Sequence, residues 1–287
     1  TVKASTSGGT RENARGDAAP PSHSKQLIDR LAALVDIPPP GVPAGDDQVI
    51  AEELNHALQA ITARRARRKH VYTFASGPQG GEYYPIVDAV VGQVARLKTP
   101  VKVRNLETEG SLENVRLIAT KQADYALVQS NVAAMAYAGE GAFTQGGAVT
   151  SVRALGSLFP EPLHIIVSAK SDIRTLADLR GKRVALGPPG SGTRADALTV
   201  LAAHGLGVKD FAEVLEDGLD DAAARLRGGR LDAIFATVGV PAREVQRLAT
   251  RHPIRLLPLD VSLIAGLVTQ HTGLVRLLIP ANTYPGQ

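Results

Sequence analysis

Residues Val71 to Val91 read VYTFASGPQGGEYYPIVDAVV. The first six form a β-rich apolar run, VYTFAS, that reads as a strand. Gly77, Gly80 and Gly81 then let the backbone turn tightly and bare its amides, and Pro85 suits the first turn of a helix. From Pro85 to Leu97 the apolar residues Ile86, Val87, Val90, Val91, Val94 and Leu97 fall on one helical face. Strand, glycine turn and helix in that order bring free N–H groups to a helix start, which favours a bound anion. Tyr83 and Tyr84 add ring faces and hydroxyls at the same turn, although either could equally serve as core.

The pattern recurs to the end of the chain. VKVRNLET, DYALVQ, LHIIVSA, RVALG, LDAIFATV and IRLLPLD read as strands. Between them SLENVRLIAT, NVAAMAYAG, DIRTLADLRGK, TRADALTVLAAHG, DDAAARLRGG and PAREVQRLATRH read as helices, with Gly181 and Gly205 as stops. Regular alternation of this kind predicts an α/β protein with mainly parallel sheets. Upstream the texture differs. Residues 1–19 are rich in Gly, Ser, Thr and Ala and read as disordered; residues 24–37 have a modest helical period; PPPGVPAG (38–45) reads as a stiff linker. DDQVIAEELNHALQAITARRARRKH then reads as a helix, acidic at its start and basic at its end as the helix dipole prefers.

Composition narrows the functional classes. With 287 residues there is enough chain for two lobes, and a net charge of +4 does not imply nucleic acid. The absence of cysteine removes disulfides, thiolate metal sites and a cysteine nucleophile. No apolar run approaches the ~18 residues that span a bilayer as a helix. The seven histidines form no metal-ligand pair, so neither a metal nor a cofactor is expected.

Four strand-to-helix junctions are rich in Gly, Ser and Thr, where α/β folds bind ligands. The first is SGPQGGEYYP with Gly80, Tyr83 and Tyr84. The second is ETEGSLENV, where Ser111 is placed as an N-cap, with Asn114 three residues on. Gln129 and Ser130 form the third, and Ser191, Gly192 and Thr193, within ALGPPGSGTRADA, the fourth. In this last turn Gly187 to Gly192 has the glycine spacing of a phosphate loop, but Thr193 stands where the lysine must be. Gly190, Gly192 and Ala195 match a dinucleotide fingerprint only with Pro188 and Pro189 intruding after the strand. Ser191 lacks the flanking glycines of a nucleophile elbow. Small hydroxyls, amides and tyrosines without a visible base suit binding better than catalysis, so no catalytic residue is expected.

In sequence order these turns resemble the TAXI-type solute-binding proteins of tripartite ATP-independent periplasmic (TRAP) transporters. The resemblance is carried by GPQGGEYYP, ETEGSLENVRLIATKQADYALVQSNVAAMAYAG, LFPEPLHIIV, IRTLADLRGKRVALGPPGSGTRADA, LDAIFATVGVPAREVQ and LLIPANTYPG, collinear from about Val71 to Gln287. It implies a two-lobed type II periplasmic-binding-protein fold whose cleft shuts on a small solute. Residues 1–70 would be an extension, 71–165 lobe one, 166–275 lobe two, and 276–287 the start of a return to lobe one. The implied ligand residues are Gly80, Tyr83, Tyr84, Ser111, Asn114, Gln129, Ser130, Ser191, Gly192 and Thr193, with Gly239 and Pro241 as a far wall. The implied solute is a small carboxylate such as glutamate, and the implied partner is an integral-membrane permease. A monomer outside the cytoplasm, freed of its signal peptide and either free or held at the membrane, completes that expectation.

Three departures qualify it. Residues 1–70 have no counterpart, Asn131 stands where the family often has Asp, and family chains run on beyond residue 287. The last point predicts a piece of a longer protein with an open sheet edge in lobe one. Two other readings stay open on the same fold, a ligand-sensing regulatory protein and an enzyme with carboxylates paired across space.

Overall fold

The computed structural model describes residues 46–287. The disorder, helical period and linker expected before residue 46 lie outside the described residues. Helix α1 (Asp46–Lys69) is a continuous 24-residue helix. After it come two α/β lobes.

Lobe one is built on β1 (Val71–Ala75), β2 (Lys102–Leu106) and β3 (Tyr125–Ala126), paired in parallel in the order β2-β1-β3. Parallel neighbours need a crossover, and α2 (Tyr83–Arg96) and α3 (Ser111–Ala119) supply the two. Helix α4 (Ser130–Ala138) follows β3. Leu112, Val115, Val132, Ala136 and Phe143 form the lobe's core, fed by α3, α4 and the turn behind them. Apart from Ala136, each of these side chains, once buried, contributes about 1.5–3 kcal/mol. Helix α2 lies against the edge strand β2. Only Val87 of its six expected apolar residues is fully buried, while Val90 and Leu97 face solvent at 38% and 70% exposure. Among the described residues the outer edge of β3 pairs with no strand.

One side chain ties this lobe's strand ends together. Asn114 is fully buried, and its Nδ2 donates to the carbonyls of Ser76 and Leu127, both at 2.7 Å. Its Oδ1 accepts from the Thr108 hydroxyl at 2.7 Å. The turns after all three strands are thereby fixed to α3.

Lobe two contains β4 (Leu163–Ser168), β5 (Arg183–Ala185), β6 (Glu213–Leu215), β7 (Ala233–Thr237) and β8 (Ile254–Leu256), in the order β6-β5-β7-β4-β8. Its helices are α5 (Gly192–Ala203), α6 (Leu219–Arg227), α7 (Arg243–Arg251) and α8 (Val261–Gln270). β5 is parallel to both its neighbours, but β4 runs antiparallel to β7 and to β8. The expectation of mainly parallel pairing therefore holds for lobe one and fails for the middle of lobe two. β4 and β7 are buried on both faces, with α5 and α8 on one side and α6 and α7 on the other. A strand covered on both faces shows a continuous apolar run whatever its direction.

Two local expectations are corrected. DIRTLADLRGK forms only a 3-10 turn, Leu176–Leu179. The Asp178 carboxylate accepts from the N–H groups of Arg174 and Thr175 at 2.9 and 2.8 Å, and Gly181 reverses the chain at φ +68°, so no α-helix extends from it. Ser111 is the first helical residue of α3 rather than its N-cap, which is Gly110 at φ +121°. Near residue 287, Tyr284 is buried in the core of lobe two. Its hydroxyl donates to His164 Nε2 at 2.8 Å and accepts from the Ala242 N–H at 3.1 Å. His164 Nδ1 lies 2.9 Å from the Pro162 carbonyl, which fixes the tautomer that leaves Nε2 as acceptor.

Candidate functional site

The two lobes meet along a seam made from the predicted turns. Helix α3 begins there in lobe one and α5 in lobe two. The N–H groups of Leu112 and Glu113, two of the free amides at the start of α3, donate to the Gly190 carbonyl at 3.0 and 3.3 Å. A Cβ on Gly190 would stand 2.7 Å from Glu109 Cβ, and one on Gly192 would stand 1.8 Å from Gln129 Oε1. Only glycine admits so close an approach of backbone to the facing lobe.

Further contacts extend the seam to either side. Asn131 Nδ2 donates to Asp196 Oδ1 at 2.6 Å, both residues being buried, and the Thr237 hydroxyl donates to Asp196 Oδ2 at 2.8 Å. The Ser130 hydroxyl donates to the Gly273 carbonyl at 2.8 Å. The Gly239 N–H donates to Glu82 Oε2 at 2.8 Å. Tyr83 donates its phenol proton to Glu161 Oε2 at 2.5 Å, in the segment that passes between the lobes. Beyond Glu82 and Gly239 lies an open groove of about 800 Å³, walled by Gly80, Pro85, Ile86, Phe159, Val240 and Pro241 among others.

The predicted residues divide into three groups. Ser111, Gln129, Ser130, Ser191, Gly192 and Tyr83 come together on the seam, and Gly80, Gly239 and Pro241 line the groove. Ser111 Oγ accepts from the Gln129 N–H at 3.0 Å, and Ser191 caps α5 by accepting from the Arg194 N–H at 3.2 Å. The second group faces inward. Thr193 Oγ1 accepts from the Thr237 N–H, and Asn114 has both its N–H bonds and its oxygen engaged within lobe one. Tyr84, half-buried, forms the third. Its carbonyl accepts from Asn105 Nδ2 at 3.0 Å.

The structure also shows what the sequence reading passed over. Glu82, Glu161 and Asp196 are three carboxyl groups on the seam, and Asp220 of lobe two stands against Gly80. Burial raises Asp196 to about 6, against the pull of its bonds to Thr237 and Asn131. Burial likewise raises Glu161 to about 7, aided by the charges of Glu82 and Asp196 and opposed by the bond from Tyr83. Tyr83 is itself pushed well above its ordinary range, first by burial and then by the Glu161 charge. Gln129 Oε1, on a side chain 8% exposed, has no hydrogen-bond partner. Helical spacing offered one clue, because Asp196 stands four residues after Gly192 and so shares its face. Glu161 had none. Among the described residues no group of three or more His, Cys, Asp or Glu is arranged to hold a metal ion.

A family model described as NMT1-like matches residues 74–287, from β1 through both lobes. The chain belongs to the NMT1-like family. It is also similar to solved structures at low identity. The periplasmic aliphatic sulphonate binding protein SsuA from Escherichia coli is 20% identical over 65% of this chain and 56% of its own, with a TM-score of 0.42. A putative L-cystine ABC transporter from Listeria monocytogenes is 17% identical over 66% of this chain and 77% of its own, at 0.44. The arginine-bound form of truncated ArgBP from T. maritima is 17% identical over 67% and 84%, at 0.43. This NMT1-like chain spans 56% of the length of the Escherichia coli protein.

Proposed function

We propose that this chain is an extracytoplasmic solute-binding subunit of the TAXI type, which captures a small carboxylate-bearing solute between its lobes and delivers it to a TRAP permease in the membrane. The observation that carries this reading is the convergence of two helix starts on one line. α3 aims the Leu112 and Glu113 N–H groups at a carbonyl in the turn that opens α5. An acceptor on a solute would satisfy the same amides once the lobes part, since a helix start favours negative charge. Re-closure would then bury the solute against both lobes, and its contacts would favour the closed form. The family match and the resemblance of the six motifs support this assignment.

The test is calorimetry of the chain against the twenty amino acids and a set of four- and five-carbon dicarboxylates. Saturable binding at about micromolar, roughly −8 kcal/mol, is expected for at least one of them. Absence of binding by all of them would overturn the assignment.

A further inference from the structure

The charges around the seam bear on which solute fits, given that the seam is where the proposed carrier holds it. We propose that the solute is an amino acid with a neutral or cationic side chain, its ammonium held by Asp196 and Glu161, and that a second carboxylate on the solute is rejected.

Three observations lead there. The seam's own cross-lobe contacts show which polar groups it accepts. At one point an acceptor, the Gly190 carbonyl, sits on the amides of Leu112 and Glu113. At another a donor, the Asn131 carboxamide, sits on Asp196. A solute that replaces both contacts needs one acceptor and one donor, as an α-carboxylate and an α-ammonium supply. The distribution of charge is the second observation. Glu82, Glu161 and Asp196 all face the seam, and no Lys or Arg among the described residues makes a cross-lobe hydrogen bond or ion pair there. The nearest cation along α5, Arg194, is held by Glu216 at 3.1 Å; Arg243 and Arg247 line the groove beyond Glu82, where Arg247 is held by Glu244 at 2.7 Å. Burial already disfavours the charge on Asp196 and Glu161, so a buried ammonium would relieve them and a buried side-chain carboxylate would aggravate them. The third observation is Gln129, nine-tenths buried, whose unpartnered Oε1 points at the first residue of α5, one helical turn from Asp196. A buried acceptor without a donor is costly, and a solute N–H would satisfy it.

L-glutamine and L-glutamate form the decisive pair, since they match in shape and differ by one charge. Calorimetry at pH 8 on the full chain is expected to show L-glutamine binding at least tenfold more tightly than L-glutamate, with L-lysine at least as tight as L-glutamine. Asp196→Asn, isosteric, is expected to reduce that preference to under threefold. Glu161→Gln, which also removes a carboxylate, is the second variant should Asp196→Asn unfold early in a thermal melt. Tighter binding of L-glutamate than of L-glutamine overturns this inference and leaves the carrier assignment intact. If none of the three amino acids binds, while a dicarboxylate without an amine does, this inference again falls alone. If nothing in the wider panel binds, both fall together.

Discussion

Gly190→Ala is predicted to damage lobe closure while sparing the fold of either lobe. No φ in the left-handed region constrains Gly190, and the atoms nearest to an added Cβ all belong to the facing lobe. They are Glu109 Cβ at 2.7 Å, Glu109 Cγ at 3.4 Å and Glu113 Cβ at 3.5 Å. The first is roughly 0.7 Å short of ordinary contact, and because it is a Cβ it cannot swing aside. The lobes must therefore part locally by about that amount. The bonds from Leu112 and Glu113 to the Gly190 carbonyl, now 3.0 and 3.3 Å, would then stretch beyond useful length. Each is worth about 0.5–1.5 kcal/mol net, so closure without solute should lose about 1–3 kcal/mol, a shift of roughly 5- to 150-fold in the ratio of closed to open forms. Two measurements check this together. Small-angle scattering should show a larger radius for the variant, while its circular dichroism spectrum matches that of the parent. An equal radius would refute the claim that the two helix starts meet at Gly190.

Three other predictions concern stability. Asp196, raised by burial from 3.8 to about 6, holds its proton more tightly in the folded chain than in the unfolded one. Its contribution is therefore fully present below about pH 4 and is lost as pH rises through about 6, a swing of about 3 kcal/mol. The difference in urea stability between the parent and Asp196→Asn should change by that order across this window, and a constant difference would count against it. Asn114→Ala leaves the carbonyls of Ser76 and Leu127 and the Thr108 hydroxyl without their partner, costing about 3 kcal/mol or more and lowering Tm by roughly 6–12 °C; an unchanged melt would deny its tying role. Tyr284→Phe strands His164 Nε2 and the Ala242 N–H, at a cost of about 1–3 kcal/mol by chemical denaturation, and a neutral result would mean that Tyr284 contributes only its ring.

The α/β character was legible because each strand carries a compact apolar run, as in Leu163–Ser168, and each turn declares itself with glycine or serine. Strand direction was not. β4 is as apolar as a central parallel strand, and its antiparallel pairing depends on the route the chain takes between the lobes rather than on its own residues. The turn at Thr175 carries apolar residues at helical spacing, yet Asp178 folds back on two amides and closes it after one turn. The glycine- and serine-rich turns did come together. What stayed hidden was the seam's acidity, because Tyr83 and Glu161 lie 78 residues apart and Asn131 and Asp196 lie 65 apart. Such pairs acquire meaning only when two lobes are brought face to face. Asn114 is the converse case, a residue at a ligand-like position whose hydrogen bonds all serve its own lobe.

The central claim is that two lobes open and close around a solute at one seam. The chain has no cysteine, so spin labels can be introduced singly at exposed Gln122 in lobe one and exposed Lys209 in lobe two. Distances between them, measured by double electron–electron resonance, should be broad or bimodal without solute and should collapse to one short population when saturating L-glutamine is added. A single distance, unchanged by L-glutamine or by any solute found in the calorimetric panel, would contradict the account.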